Sequence, residues 1–181
     1  MPGDFAVLRA YIYAHAVYSS VMSPGGSIVN SLDEAVAAIA EIFESTKHEI
    51  VFIVPPSVFS IFGTSFNTVQ NAKRFVQNGG VMRGVTTISR ANAEENRMRL
   101  QIGENLRHID LQYEIFMFVG DRQHSLSAIN VGMEVHTLDT PIVAFRSEDP
   151  TYAEYLFLSF EKAWSEAIPA EERIKELLEQ G

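Results

Sequence analysis

The chain has 181 residues, 46% of them hydrophobic and 20% charged, with a net charge of −9 and no cysteine. That length holds one domain with a substantial core, and the composition is that of an ordinary globular protein. The acidity argues against a nucleic-acid partner, which needs a basic stripe, and against an anionic membrane surface. The missing cysteines exclude disulfides and thiolate zinc sites and fit a cytoplasmic protein.

In chain order, the N-terminus lacks the basic region and cleavage site of a signal peptide. No stretch offers the roughly 18 uncharged apolar residues of a membrane span. Phe5 to Met22 has helical composition and is apolar nearly all round, with Arg9 and His15 as its only potential charges. Such a helix is buried on several sides, either within its own chain or against another, and a homodimer contact is expected here. Ser27 to Leu32 reads as a short strand or extended arm. Ser31 with Glu34 forms a capping box for a helix from Asp33 to Thr46 that buries Val36, Ile39, Ala40 and Phe43.

The architecture turns on Glu49–Pro56 and Gly79–Ile88, two apolar runs that read as buried strands. Between them a helical stripe runs from Ser57 to Asn78, stopped by Asn78-Gly79-Gly80, where a left-handed cap is needed. Strand, crossover helix and strand make a βαβ unit, so the two strands should be parallel, and their near-continuous hydrophobicity predicts helices on both sheet faces. A polar helix follows from Arg90 to about Leu106, with Met98, Ile102 and Leu106 as its narrow apolar edge, expected to be peripheral and solvated. The chain should re-enter the sheet at Ile109–Gln112. Tyr113–Val119 and Ser125–Val131 predict an antiparallel hairpin and Pro141–Arg146 a further strand. Asp149-Pro150 opens a long helix whose stripe of Tyr152, Leu156, Phe160, Ala163, Trp164 and Ala167 should cover one sheet face. Pro169 breaks it, and a charged helix to Gln180 is expected to project from the body.

The glycines lack phosphate-loop spacing, no serine sits in a nucleophile elbow, and none of the histidines makes a metal pattern. His48 and His136 fall in turn-like sequence. Neither a metal nor another cofactor is expected. Arg107 and His108, read as a helix-to-strand junction, could bind an anion or a carboxylate; the alternative is that both satisfy carbonyls at the helix end. Pro56 and Ser57 leave the carboxyl end of a central strand, the usual ligand position of an open α/β sheet, although Ser57 is equally well a plain N-cap. Arg83, Thr86 and Thr87 come from the neighbouring strand.

Three segments together resemble a known family: Gly80-Val-Met-Arg-Gly-Val-Thr-Thr-Ile-Ser89, Leu106-Arg-His-Ile-Asp110, and the closing run from Phe160 through Trp164 and Pro169 to Lys175. They are similar to the sensor region upstream of the kinase core in archaeal sensor histidine kinases, over roughly Asp33 to Gly181. That region, like the effector domains of archaeal sugar-sensing transcription regulators, is similar to one half of the phospholipase D fold. The resemblance implies an α/β fold with a phospholipase D-like mixed sheet, a βαβ core plus hairpin, flanked by helices on both faces. Catalytic members carry His-x-Lys-x-x-x-x-Asp. Here the hairpin reads His124-Ser-Leu126, with Val131 in the aspartate's place, and His136-Thr-Leu138 fails in the same way. No phosphoacceptor helix, ATP-binding domain or winged helix is expected after Gly181.

The expected organisation is an N-terminal helix and linker over residues 1–26, a sensory domain over 27–168 and a C-terminal output helix over 169–181. The expected function is non-enzymatic: a small or anionic ligand, or a signalling partner, binds near Pro56, Ser57, Arg83, Thr86, Thr87, Arg107 and His108, and the signal leaves through the C-terminal helices. The alternatives are a degenerate phosphodiesterase using His124 and a pure interaction module.

Overall fold

The computed structural model describes residues 26–56, 66–111, 114–130 and 141–179. The Phe5–Met22 helix and its dimer contact, Ser57, Val131 and His136 lie outside the described residues.

Eight strands form one mixed sheet. β1 (Ser27–Ser31) is an edge strand antiparallel to β7 (Pro141–Ser147). β2 (Glu49–Ile53) pairs in parallel with β3 (Val81–Thr86), and β3 pairs in parallel with β4 (Asn105–His108). β5 (Glu114–Gly120) and β6 (His124–Asn130) make the antiparallel hairpin, and β8 (Ile168–Pro169) pairs antiparallel with β4. The strand order is β1-β7-β6-β5-β2-β3-β4-β8.

Helices cover both faces. α1 (Leu32–Ser45), α2 (Phe66–Gln77), α3 (Ala93–Gln101) and α5 (Ala170–Glu179) share a core with Phe52, Met82, Leu106 and Phe118. On the other face α4 (Pro150–Glu166) packs Tyr152, Leu156, Phe160 and Ala163 against Val51, Ile53, Val85 and Met117.

Local chemistry accounts for the boundaries. The Ser31 hydroxyl accepts the Glu34 N–H at 3.2 Å, while the Glu34 carboxylate reaches back to the Asn30 N–H, one residue before the position a capping box uses. α1 buries Ala35, Ala38, Ile39, Ile42 and Phe43, so its inward face is turned slightly from the predicted one, leaving Val36 and Ala40 half-buried. α2 ends where Gly79, at φ +91°, donates to the Val76 carbonyl. Asp149 caps α4 by accepting the Thr151 N–H, with Pro150 in the first turn.

Three expectations are corrected. The polar helix is shorter than predicted: Gly103, at φ +97°, ends it, and Asn105–His108 joins the sheet as β4 in place of Ile109–Gln112. A glycine in the left-handed region stops a helix that composition alone would continue. Helix α3 is also not solvated on all its polar positions: Glu94 and Gln101 are exposed, but Asn96 and Arg99 are its buried residues while Met98 is 58% exposed. Finally, the C-terminal helix does not project. Pairing of Ile168 and Pro169 with β4 turns the chain back, and α5 buries Ala170 and Ile174 in the core shared with α1 to α3.

Candidate functional site

The residues expected to form one site are divided by the sheet. Neighbours in a strand point to opposite faces, so with β4 running through Arg107 and His108 these two do not converge. Arg107 lies on the α4 side, donates to the Trp164 carbonyl at 2.8 Å and stacks over its indole, 4.5 Å from the ring centroid. It therefore satisfies carbonyls at the end of α4 and holds the point where α4 gives way to β8. Arg83 shares that side. Its guanidinium pairs with Glu49 at 2.7 Å and Glu161 at 2.5 Å, and lies 5.1 Å from the Phe160 ring. Both arginines are fully engaged in structural contacts.

Thr86 and His108, a cross-strand pair, occupy the opposite face beneath α3 and α5. The His108 Nδ1 accepts the Ile88 N–H at 2.9 Å, which leaves the proton on Nε2, 3.6 Å from Asp110. Burial and the nearby Arg173 hold this imidazole below its ordinary pKa, against the opposing pull of Asp110 and Glu176. Arg173 of α5 also donates to the Ile88 carbonyl, so the Ile88 peptide is clamped from both sides. Thr87 is occupied in joining β3 to the chain after β4: its hydroxyl donates to the Ile109 carbonyl at 2.7 Å and accepts the Leu111 N–H at 2.9 Å. Pro56 is half-buried just past β2, at the same end of the sheet as Thr86.

The distinctive feature of this face is a polar seam under α3. Asn92, Asn96 and Arg99 stand four and three residues apart, on one helix face, and all three are buried. Asn92 accepts the Ser89 N–H and donates to the Thr87 carbonyl, tying the start of α3 to the end of β3. Asn96 donates its amide to the Asn92 carbonyl at 2.8 Å, which fixes which amide atom is the oxygen. Arg99 pairs with the fully buried Glu104 at 2.8 Å and lies over the Phe52 ring. Burial pushes the carboxyls of Glu104 and of the half-buried Glu95 up, and Arg99 opposes this in both. Four buried oxygens have no hydrogen-bond partner among the described residues: Thr86 Oγ1, Glu95 Oε1, Asn96 Oδ1 and Glu104 Oε1. An interior oxygen left unpaired costs about 1–3 kcal/mol, so the seam is an expensive way to pack a helix.

Of these residues the sequence reading included only Thr86 and His108. The signal for the rest was the Asn92, Asn96, Arg99 spacing, which marks a face of α3 as clearly as an apolar stripe would, but with polar residues.

Two clefts lie elsewhere on the described surface. In the first, Lys47, His48, Arg122 and Gln123 surround Asp121, whose carboxylate accepts the backbone N–H groups of Lys47, His48 and Glu49. Burial works against its charge, and the three N–H donors outweigh that, holding the carboxyl below its ordinary pKa. The second contains His124 with Ser125, Ser147, Arg146 and Glu41. Arg146 is paired with Glu41 and Glu148, and Leu126, two residues beyond His124, is fully buried. None of the five histidines in the chain is followed two residues later by lysine. Among the described residues no group of three or more His, Cys, Asp or Glu side chains could hold a metal ion, and no helix is long and apolar enough to cross a membrane.

Neither a protein-family model nor a curated protein sequence matches the chain. Solved structures do. The chain is similar to Nuc, a phospholipase D family member from Salmonella typhimurium, with a TM-score of 0.63 and 14% identity over 81% of this chain and 98% of that one. It is similar to NucT from Helicobacter pylori, with a TM-score of 0.62 and 8% identity over 80% and 98% of the two chains. It is also similar to TrmBL2, an archaeal chromatin protein whose structure shows a novel mode of DNA binding, with a TM-score of 0.58 and 13% identity over 90% of this chain. The chain spans 62% of TrmBL2. The fold is therefore phospholipase D-like: a mixed sheet with helices on both faces.

Proposed function

We propose that this chain is a non-catalytic, phospholipase D-like sensory domain in which a small ligand at the α3 seam changes how α5 is docked, and so reaches a signalling partner. The observation that carries the reading is the set of buried, unpartnered oxygens on Thr86, Asn96 and Glu104, in a helix-to-sheet contact that a purely structural role would pack with apolar side chains. The seam adjoins α5 through the Ile88 peptide, held by His108 on one side and by Arg173 on the other. A ligand that shifts the β3–α3 turn would be felt by α5 directly.

Phosphodiester chemistry is left out of the proposal because His-x-Lys is missing from the sequence and Arg146, the cation beside His124, is committed to two glutamates. Nor does the proposal include direct contact with DNA, since the chain carries a net charge of −9. The test is a thermal-shift screen of a small-molecule library on the wild type, Thr86→Val and Asn96→Leu, beside a hydrolysis assay on bis(4-nitrophenyl) phosphate. Library hits lost in both variants, with no His124-dependent turnover, support the reading. Hits indifferent to both substitutions would remove the seam as the site, and turnover abolished in His124→Ala would make the chain an enzyme.

A further inference from the structure

We infer that the seam takes a small organic cation, a ligand presenting a primary ammonium group; this rests on the sensory reading above and names its ligand class. Side-chain donors of the seam bond within it, Asn92 Nδ2 to the Thr87 carbonyl, Asn96 Nδ2 to the Asn92 carbonyl and Arg99 Nε to Glu104 Oε2, and every buried unpartnered side-chain atom among the described residues is an oxygen. What is left over is acceptor. Asn96 Oδ1, Glu95 Oε1 and Glu104 Oε1 can only receive hydrogen bonds when the carboxyls are ionised, and Thr86 Oγ1 can do either.

Asn96 and Arg99 are three residues apart on one helix face, Glu95 and Arg99 are four apart, and Glu104 is bonded to Arg99. Thr86 stands on the sheet face that α3 covers, with its side chain fully buried. Asn96, too, is fully buried, so its oxygen faces the interior of this contact.

The charge count points the same way. Two carboxylates, Glu95 and Glu104, surround one guanidinium, Arg99, whose proximity both of them register. With all three ionised the seam carries one negative charge in excess. An anionic ligand would meet acceptors and repulsion there. A proton on Glu104 would remove that excess, and Oε1 would then need an acceptor in place of a donor. A neutral polyol supplies donors but leaves the charge. A primary ammonium supplies three donors and one positive charge on a single atom.

The test titrates the full chain with methylammonium and propane-1,3-diammonium chloride, with sodium chloride, glycerol and sodium phosphate as matched probes, read by calorimetry and by thermal shift. The expected result is saturable binding of the amines alone, weakened about tenfold or more in Glu104→Gln and Asn96→Leu, the loss expected when a charge-assisted hydrogen bond is removed. Thr86→Val, which is isosteric, keeps the assay informative if a more drastic variant fails to fold, and it too should weaken the amines. Amine effects equal to those of sodium chloride, or unchanged in all three variants, overturn the inference. If glycerol, phosphate or a neutral library compound binds instead and is lost in Thr86→Val, the cationic class falls while the sensory site stands. If no probe or library compound responds to these substitutions, both fall.

Discussion

Arg99 and Glu104 show what a buried ion pair does at the level of single residues. The pair is enclosed, with side-chain exposures of 4% and 0%, and removing one partner leaves the other charge in the interior. Arg99→Ala should therefore cost about 3–5 kcal/mol in urea unfolding, whereas the double replacement Arg99→Met/Glu104→Leu should come out near neutral or stabilising. If the double variant is as unstable as the single one, the pair is needed for the fold. If it folds well and binds nothing, the pair is kept for the ligand. Gly84 makes a separate point. A Cβ there would lie 2.2 Å from Phe52 Cζ, and the Phe52 ring is itself stacked on Phe118 at 5.2 Å. With no room to shift, Gly84→Ala should destabilise by about 1–3 kcal/mol through overpacking, measured by the same unfolding curve.

At the scale of elements, α3 and α5 are the pair on which the proposal depends. α5 is short and strongly charged, and its hold on the body comes from Ala170 and Ile174, from Arg173 on the Ile88 carbonyl, and from the short β8 pairing just before it. Helices of this length do not persist alone in water, so loss of docking should melt it. Ile174→Ala removes the deepest side chain of α5 that is larger than alanine, and should cost about 2–5 kcal/mol if the site cannot collapse. Hydrogen exchange of residues 170–179 should accelerate in that variant while β2 and β5, in the centre of the sheet, stay protected. Uniform acceleration across the sheet would mean that α5 belongs to the global unfolding unit and cannot act as a separate responsive element.

For the whole molecule the readout is stability against pH. His108 is held below its ordinary pKa in the folded state, so the unfolded chain binds the proton more readily. Stability contributed by the neutral imidazole is present above the unfolded pKa of about 6.5 and is lost as the pH falls below it. The carboxyls of Glu95 and Glu104 work in the other direction: raised in the fold, they cost stability at neutral pH and relax on acidification. Asp121, held low by three backbone N–H donors, adds stability that is fully present above the ordinary carboxylate pKa and is lost as the pH falls from there through its lower folded pKa. Between pH 7 and 5 the wild type should therefore lose stability relative to His108→Gln, whose side-chain oxygen can still accept the Ile88 N–H. Equal slopes for the two proteins would show that His108 does not couple folding to pH.

Much of this architecture was legible in the residues themselves. The parallel pairing of β2 and β3, the hairpin, the Ser31 and Asp149 caps and the stripe of α4 all follow from local rules: strand-like runs, turn residues and periodic apolar spacing. These depend on neighbours a few residues away, which a sequence displays. What only the tertiary structure decided was the partnership of polar groups. Arg107 and His108 are adjacent in the chain and separated by the sheet once Gly103 ends α3 early and β4 forms. Asn96, Arg99 and Glu104 read as a solvated surface, because a helix face is polar in the same way whether it meets water or a buried carboxylate. The C-terminal helix looked free because its charge is local, while the pairing of β8 with β4 that folds it back spans about sixty residues of chain. Local periodicity carries the elements; which charges meet inside depends on contacts that no local pattern encodes.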